Sequence, residues 1–164
     1  MNLGATGPGI RPACKLPMPV YVDYRTPRYV RAGTLMAIKV WNAVTERQVF
    51  EWRGIAMPYQ NHGILVRMIP EDRTKDLAWW RLRDGPLCTR FGRVDVIRGR
   101  KHCPERTARI MMHELGHAIG LRHEDAKNRD SVMDHITDTC TQIMNDHFCS
   151  GTLKRFKELY RCTR

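Results

Sequence analysis

Apolar residues recur at three-residue intervals from Leu35 to Val44, close to the 3.6-residue period that places them on one face of a helix. Thr26-Pro27 stands before this run, and a capping residue followed by proline at the first helical position is typical of a helix start. The pattern therefore predicts a long amphipathic helix over 27–45.

Other segments are rich in β-branched and aromatic residues, which favours strands. These segments are 20–23, 64–69, 77–82 and 93–96. In the last of them Val94 and Val96 alternate with Arg93 and Asp95. This period of two predicts a strand that is exposed on one face.

A second helix is predicted to begin at Cys103-Pro104-Glu105, where proline takes the first position and an acid lies in the first turn. The predicted order is β-α-β-β-β-α, followed by an irregular loop and a final helix. We therefore expect an α/β fold with a small mixed sheet and two long helices. At 164 residues the chain is expected to form a single domain over 1–164 around one core, with 1–17 as an irregular N-terminal segment.

The second helix carries the most specific motif of the chain. Residues 113–123 read HELGHAIGLRH, which is H-E-x-x-H-x-x-G-x-x-H. Random placement of these residue types would produce this string in about 4 of 100,000 chains of the same composition. A helix with incidental surface histidines is therefore a poor explanation of the motif.

The spacing of the motif suits one zinc ion. Positions i and i+4 share a helix face, so His113 and His117 can direct both imidazoles at the same Zn²⁺. Gly120 can take a positive φ and end the helix, which brings His123 back as the third ligand. The fourth position of a tetrahedral zinc then stays open, as in catalytic sites. Glu114, rotated by about 100° from His113, suits a base that acts on a zinc-bound water.

The motif and a methionine that follows it resemble the metzincin zinc metallopeptidases. In that family the extended zinc motif precedes a methionine turn beneath the metal. Ser131-Val132-Met133-Asp134 follows His123 by a short loop. Met133 is thus the candidate for structural support of the site, together with Gly120, and a core methionine that fills a gap is the alternative.

Over about 20–160 the chain is most similar to the matrixin branch of the metzincins. The stretches that look like matrixin elements are a first strand at 18–24, a first long helix at 27–45, a second strand at 63–68 and a final helix ending in KELY. The resemblance implies a metzincin-like zincin fold with a twisted sheet, a methionine turn and a C-terminal helix. It also implies an antiparallel edge strand near 87–92, to which an extended peptide adds by main-chain hydrogen bonds.

Matrixins usually carry a structural zinc and calcium sites as well. The matching region here holds isolated His62 and His102, and both are expected to be surface or loop histidines. We predict one catalytic Zn²⁺ and no structural metal.

The six cysteines are an even number in a small chain, which indicates disulfides and an oxidising compartment. Cys140 and Cys149 are a candidate pair, and reduced thiols in a cytosolic protein are the alternative. A third interpretation is that Arg11-Pro12-Ala13-Cys14 resembles the matrixin latency segment, in which a cysteine thiolate fills the fourth position of the zinc. We favour this interpretation less than a disulfide.

The formal net charge is +11 and the pI is about 9.8. A basic surface attracts acidic or polyanionic partners, and an ordinary solvated surface is the favoured alternative. No apolar run approaches the roughly 18 residues of a membrane span. We expect a secreted, extracellular monomer. Because no signal peptide is visible in this chain, such a chain would be a processed or recombinant form or would leave the cell by another route.

These features together predict a zinc-dependent endopeptidase that acts on protein or peptide substrates. Zinc would polarise the scissile carbonyl and lower the pKa of its water to about 7, and Glu114 would take the water's proton and pass it to the leaving amine. The alternative is a basic domain that binds nucleic acid or glycan, with a non-catalytic zinc closed by Asp125, Asp134 or His135.

His135, two residues after Met133, is also a candidate for a transition-state contact. An imidazole there would donate a hydrogen bond to the tetrahedral intermediate. A solvent-facing loop histidine is the favoured alternative.

Overall fold

Strands in the described part of the chain form a single sheet. The computed structural model describes residues 11–57, 62–70, 78–82, 87–98, 104–123 and 132–133. Its strands are β1 (Met18–Val22), β2 (Phe50–Ile55), β3 (Gly63–Ile69), β4 (Ala78–Leu82) and β5 (Phe91–Ile97). Across the sheet they follow the order β2-β1-β3-β5-β4.

Strand β4 is the antiparallel member of this sheet. β1 pairs in parallel with β2 and β3, and β3 pairs in parallel with β5. β4 runs antiparallel to β5 and lies at the edge. The prediction that placed the antiparallel edge strand near 87–92 is wrong in position, because 91–97 form β5. That strand has neighbours on both sides, and its Val94 and Val96 are fully buried.

Two helices, α1 (Arg28–Val44) and α2 (Pro104–Ala118), pack together over the sheet. Gly33 permits their close approach, because a Cβ at this position would lie 2.8 Å from the backbone nitrogen of Ala108. The indole Nε1 of Trp41 donates a hydrogen bond to the carbonyl of Met112 at 3.0 Å. Both predicted helices are confirmed, and the glycine that weakens α1 in isolation serves its packing against α2.

Helix α1 begins without the predicted local cap. Pro27 is the N-cap residue and makes no side-chain capping bond. The Thr26 hydroxyl donates instead to the carbonyl of Val66 on β3 at 3.4 Å. The Arg31 guanidinium donates to the carbonyls of Tyr24 and Thr26, each at 2.8 Å. Tertiary hydrogen bonds thus replace the cap in ordering the turn before α1.

Strand β2 is absent from the predicted elements, so the observed order is β-α-β-β-β-β-α. Its signal was short: Phe50 and Trp52 alternate with Glu51 and Arg53, which is a period of two. The start of β2 is held from α1, where Asn42 accepts a hydrogen bond from the Phe50 N–H at 3.0 Å and donates to the Phe50 carbonyl at 2.9 Å. A hydrogen bond between two elements leaves no repeating pattern in the sequence, so the sequence did not predict this contact.

Asp95 on β5 departs from the prediction of a half-exposed strand, because it is 1% exposed. Its carboxylate accepts hydrogen bonds from Nε of Arg67 at 2.6 Å and from Nε of Arg93 at 3.1 Å. The hydrogen bond to Asp95 raises the pKa of Arg67 above its ordinary value. Part of the basic charge of the chain is therefore paired with a buried carboxylate.

The core lies between the sheet and the helices. Alternate strand positions, among them Val20, Val66 and Val96, are fully buried in one cluster with the residues of α2. α2 itself is enclosed, since Met111 and Leu115 are fully buried. The predicted C-terminal helix lies outside the described residues. Among the described helices none is long and apolar enough to cross a membrane.

Candidate metal centre

Helix α2 ends in a turn built around Gly120. Gly120 has φ of +95°, in the left-handed region where glycine is unstrained. Its N–H bonds to the His117 carbonyl and the Leu121 N–H to the Gly116 carbonyl, both at 3.0 Å. These two bonds make a Schellman motif, which closes the helix and reverses the chain. The predicted positive φ at Gly120 is confirmed, and the reversal returns His123 toward the helix.

The three motif histidines converge on one point. The Nε2 atom of His113 lies 3.0 Å from Nε2 of His117 and 3.0 Å from Nε2 of His123. Tetrahedral zinc with Zn–N bonds of roughly 2.0–2.1 Å requires ligand nitrogens about 3.3 Å apart. The observed spacing is close to that value, so the cluster has the dimensions of a zinc shell.

The other ring nitrogens fix how the imidazoles are protonated. Nδ1 of His113 lies 2.9 Å from the Val132 carbonyl, and Nδ1 of His117 lies 2.8 Å from the Leu121 carbonyl. A carbonyl oxygen only accepts, so both rings donate from Nδ1, and each ring in its neutral form presents an unprotonated Nε2 atom to the centre. Two lone pairs facing each other at 3.0 Å repel unless a cation lies between them. The donor set therefore fits a metal ion bound through Nε2.

Burial favours the neutral form of His117. His113 and His117 are fully buried. Desolvation is the largest cause that lowers the pKa of His117, to about 4; the positive charge of His123 adds to the lowering, while the hydrogen bond to the Leu121 carbonyl opposes it. Neutral imidazole is the form that binds metal, so His117 is ready to act as a ligand at neutral pH.

Met133, the predicted support of the site, packs against helix α2 between the two helical histidines, at Gly116. It is 1% exposed, and its sulfur rests against Gly116, where any Cβ would overlap it. The Trp41 ring lies beside the same position, with Cζ2 3.3 Å from a Cβ built there. Gly116 is thus a site residue absent from the predicted set. Its signal in the sequence was a glycine inside a helix, which needs a packing reason.

Glu114 is 1% exposed and lies on α2 between the two helical histidines. It does not belong to the group of ligand atoms, which consists of His113, His117 and His123 among the described residues.

Cys14 and Cys88 form a disulfide. The predicted disulfide chemistry is confirmed for this pair. The interpretation of Cys14 as a zinc-blocking thiolate is wrong, because its sulfur is bonded to that of Cys88. The pair Cys140 and Cys149 lies outside the described residues.

Other candidate residues fall into two groups. His62 is described and takes no part in the histidine cluster. The remaining candidates lie outside the described residues: His102, Asp125, Asp134 and His135. Their predicted roles stay predictions.

A sheet covered by two helices, with three imidazoles that converge at the end of the second helix, is the arrangement expected of a zinc centre of the metzincin class. The sequence model of the reprolysin (M12B) family of zinc metalloproteases matches residues 36–162. That range is more than half of the chain, and the protein therefore belongs to this family. The family is zinc-dependent, in agreement with the predicted cofactor, and His113, His117 and His123 are placed to bind the ion.

Assignment to the matrixin branch is corrected by this match. The resemblance to matrixins outside 113–133 rested on strand and helix patterns that follow from a shared fold. Such patterns specify burial and period, and they do not separate branches with the same architecture. The class was predicted correctly and the branch was wrong.

Two further proteins show similarity to the chain. The zinc metalloproteinase-disintegrin-like atrase-A of Naja atra is 27% identical over 155 residues, covering 84% of this chain and 25% of the relative. The chain thus spans about a quarter of that relative's length. The solved structure of myroilysin matches with a TM-score of 0.49 and 13% identity, covering 89% of this chain and 80% of that one.

Proposed function

We propose that this chain is the catalytic domain of a zinc-dependent endopeptidase that cleaves protein or peptide substrates. One observation carries the proposal: the Nε2 atoms of three imidazoles converge at distances close to those between the ligands of one zinc ion, on the helix that also carries the buried carboxylate of Glu114. Membership of the reprolysin family supports it. The alternative of a basic polyanion-binding domain with a non-catalytic zinc is not favoured by any described contact.

His113, His117 and His123 would hold the metal. Bound zinc supplies Lewis-acid polarisation of the scissile carbonyl and of a water molecule. The carboxylate of Glu114 accepts the proton of the attacking water and delivers it to the leaving amine. The carbonyls of Val132 and Leu121 keep the rings of His113 and His117 in their ligand orientation throughout this cycle.

Strand β4 supplies the surface for the substrate in this proposal. It lies at the edge of the sheet and packs against α2, the helix that carries Glu114. An extended peptide that adds to an exposed sheet edge gains main-chain hydrogen bonds independently of its sequence. Peptide bound along Ala78–Leu82 would thus pass close to the catalytic carboxylate.

Secretion is part of the proposal, and the Cys14–Cys88 disulfide supports it, because such bonds persist in oxidising compartments. Six alkylated thiols in folded, unreduced protein would contradict it.

We also propose that His135 contacts the transition state. A fall in kcat with unchanged KM in His135→Phe would support this role, and unchanged kinetics would overturn it.

The test of the endopeptidase proposal is Glu114→Gln, which keeps the shape of the side chain and removes its basicity. We expect a fold and a one-to-one zinc content equal to those of the wild type, with kcat/KM for a cleaved peptide lower by about 10²–10⁴-fold. Zinc content and cleavage of a proteome-derived peptide mixture are measured on the same samples. Normal turnover in a zinc-loaded variant would reject the assigned role of Glu114, and an inactive zinc-loaded wild type would reject the endopeptidase.

A further inference from the structure

The N-terminal segment 11–14 is fastened to the chain just before β5. The Thr89 N–H donates to the Pro12 carbonyl at 2.7 Å, and the Cys14 N–H donates to the Thr89 carbonyl at 2.9 Å. The Thr89 hydroxyl donates to the Arg11 carbonyl at 3.0 Å. The disulfide between Cys14 and Cys88 adds a covalent tie between these two stretches. Thr89 is fully buried, so these bonds are shielded from competing water.

This same segment rests on the turn of the metal centre. A Cβ built on Gly120 would lie 2.7 Å from the nitrogen and 2.8 Å from Cα of Pro12, and 3.0 Å from the carbonyl carbon of Arg11. The backbone of the segment therefore covers the Cα of Gly120 directly. Proline suits this contact because its nitrogen carries no hydrogen, so no backbone donor is left unsatisfied against the turn.

Movement of the Gly120 turn would disturb two ligands at once. The residue after it, Leu121, offers the carbonyl that accepts from Nδ1 of His117 at 2.8 Å. Two residues further, His123 places Nε2 3.0 Å from that of His113. The Schellman bonds within the turn are local, and the contact with Pro12 restrains the turn from outside α2.

We propose that residues 11–14, held by the Cys14–Cys88 disulfide, form a positioning strap for the zinc site. The strap presses Pro12 on Gly120 and so keeps His117 and His123 in their ligand positions. Release of the strap frees the turn, and the metal leaves more readily. The inference rests on the zinc site of the proposed function and assigns to the N-terminal segment a part in that site.

The test compares zinc release from metal-loaded variants under an excess of chelator. Cys14→Ser/Cys88→Ser removes the covalent tie without leaving an odd thiol, and Pro12→Gly loosens the contact itself. Val20→Ala is the control, because Val20 is fully buried in β1 and core truncation lowers stability. We expect release to be faster by about 10–100-fold in both strap variants, the range found when groups that orient metal ligands are lost. The control should release zinc at the wild-type rate.

Cobalt substitution gives a second readout, since the visible absorption of Co²⁺ depends on its ligand geometry. We expect an altered cobalt spectrum in the strap variants and the wild-type spectrum in Val20→Ala. Wild-type zinc release and cobalt spectra in both strap variants would overturn the inference. Altered release in the control to the same degree would also overturn it, because general loss of stability would then explain the effect.

Amide hydrogen exchange of the wild-type protein keeps the inference testable if the variants fail to fold. The Thr89 and Leu121 amides should open in one event, with protection that agrees within about threefold. Thr89 exchanging more than about tenfold faster than Leu121 would show that the strap opens while the turn stays closed, which would overturn the inference. An inactive wild type that binds zinc would count against the proposed function and leave this result unaffected.

Discussion

Gly116→Ala is a direct test of how the packing of Met133 is coupled to the zinc ligands. Gly116 lies inside α2, and an added Cβ would overlap the sulfur of Met133. It would also lie 3.2 Å from Cε of Met133 and 3.3 Å from Cζ2 of Trp41. Met133 is 1% exposed and Trp41 is fully buried, so neither side chain can escape into solvent.

Two opposing effects set the magnitude. Alanine in place of glycine stabilises a helix interior by up to about 1 kcal/mol. One extra methyl in a filled core costs about 1–3 kcal/mol through forced rotamers and backbone shifts. The overlap with Met133 is severe, so overpacking should prevail, and we expect a net loss of about 1–2 kcal/mol of unfolding free energy.

The loss should extend to the metal. Met133 is bonded to Val132, whose carbonyl accepts from Nδ1 of His113 at 2.9 Å. A displaced Met133 therefore shifts the carbonyl of Val132 and distorts the hydrogen bond that orients His113. We expect Gly116→Ala to weaken zinc binding by about tenfold or more, as loss of such orienting bonds does.

A double-mutant cycle with Met133→Ala isolates the contact. Urea denaturation of metal-free protein gives the four stabilities. Met133→Ala alone should cost about 2–5 kcal/mol through the cavity that it leaves. In that background the new methyl on Gly116 has room, so Gly116→Ala should be neutral or stabilising by up to about 1 kcal/mol.

Equal effects of Gly116→Ala in the two backgrounds would refute this reasoning, because the overlap with Met133 would then have no energetic consequence. A stabilising effect in the wild-type background would refute it as well. Unchanged zinc affinity with the expected loss of stability would leave the packing argument standing and would remove the coupling through Val132.

His123→Ala should release zinc much faster than the wild type in chelator competition, because two imidazoles form an incomplete shell; tight stoichiometric zinc in this variant would place the third ligand elsewhere. Metal-free protein should lose stability between pH 6.5 and about 4, the folded-state pKa of His117. Its unfolded state takes up a proton in this window and its folded state does not, so the difference grows to about 3 kcal/mol as the pH falls. Urea titrations at pH 7 and 4.5 test this, and an equal pH dependence in His117→Phe would contradict it.

The ligand set could be predicted from sequence because the chemistry there is local. His113 and His117 share a helix face by their spacing alone. Gly120 ends the helix through a φ of +95° that follows from its residue type. Such features depend on a few neighbouring residues, and a motif contains all of them.

Contacts between distant segments could not be predicted in the same way. Cys14 and Cys88 are 74 residues apart, and six cysteines permit 15 pairings. The edge strand was misplaced because apolar alternation marks a strand and gives no information about its neighbours. Strand β2 was not predicted because its apolar alternation is short. Its start is held by the side chain of Asn42 on α1.

Two glycines in one short motif show where local and tertiary information separate. Gly120 is required for its φ, which makes the turn, and this need is visible in the sequence. Gly116 is required for the side chain that it lacks, because Met133 occupies that space. A helix formed by 104–118 alone would be more stable with alanine at 116, so glycine there signals a partner outside the helix. That partner is Met133, and the carbonyl of the preceding residue, Val132, orients His113. The packing of Met133 is thereby linked to the metal site by one hydrogen bond, and the presence of glycine at both positions follows from the same zinc centre.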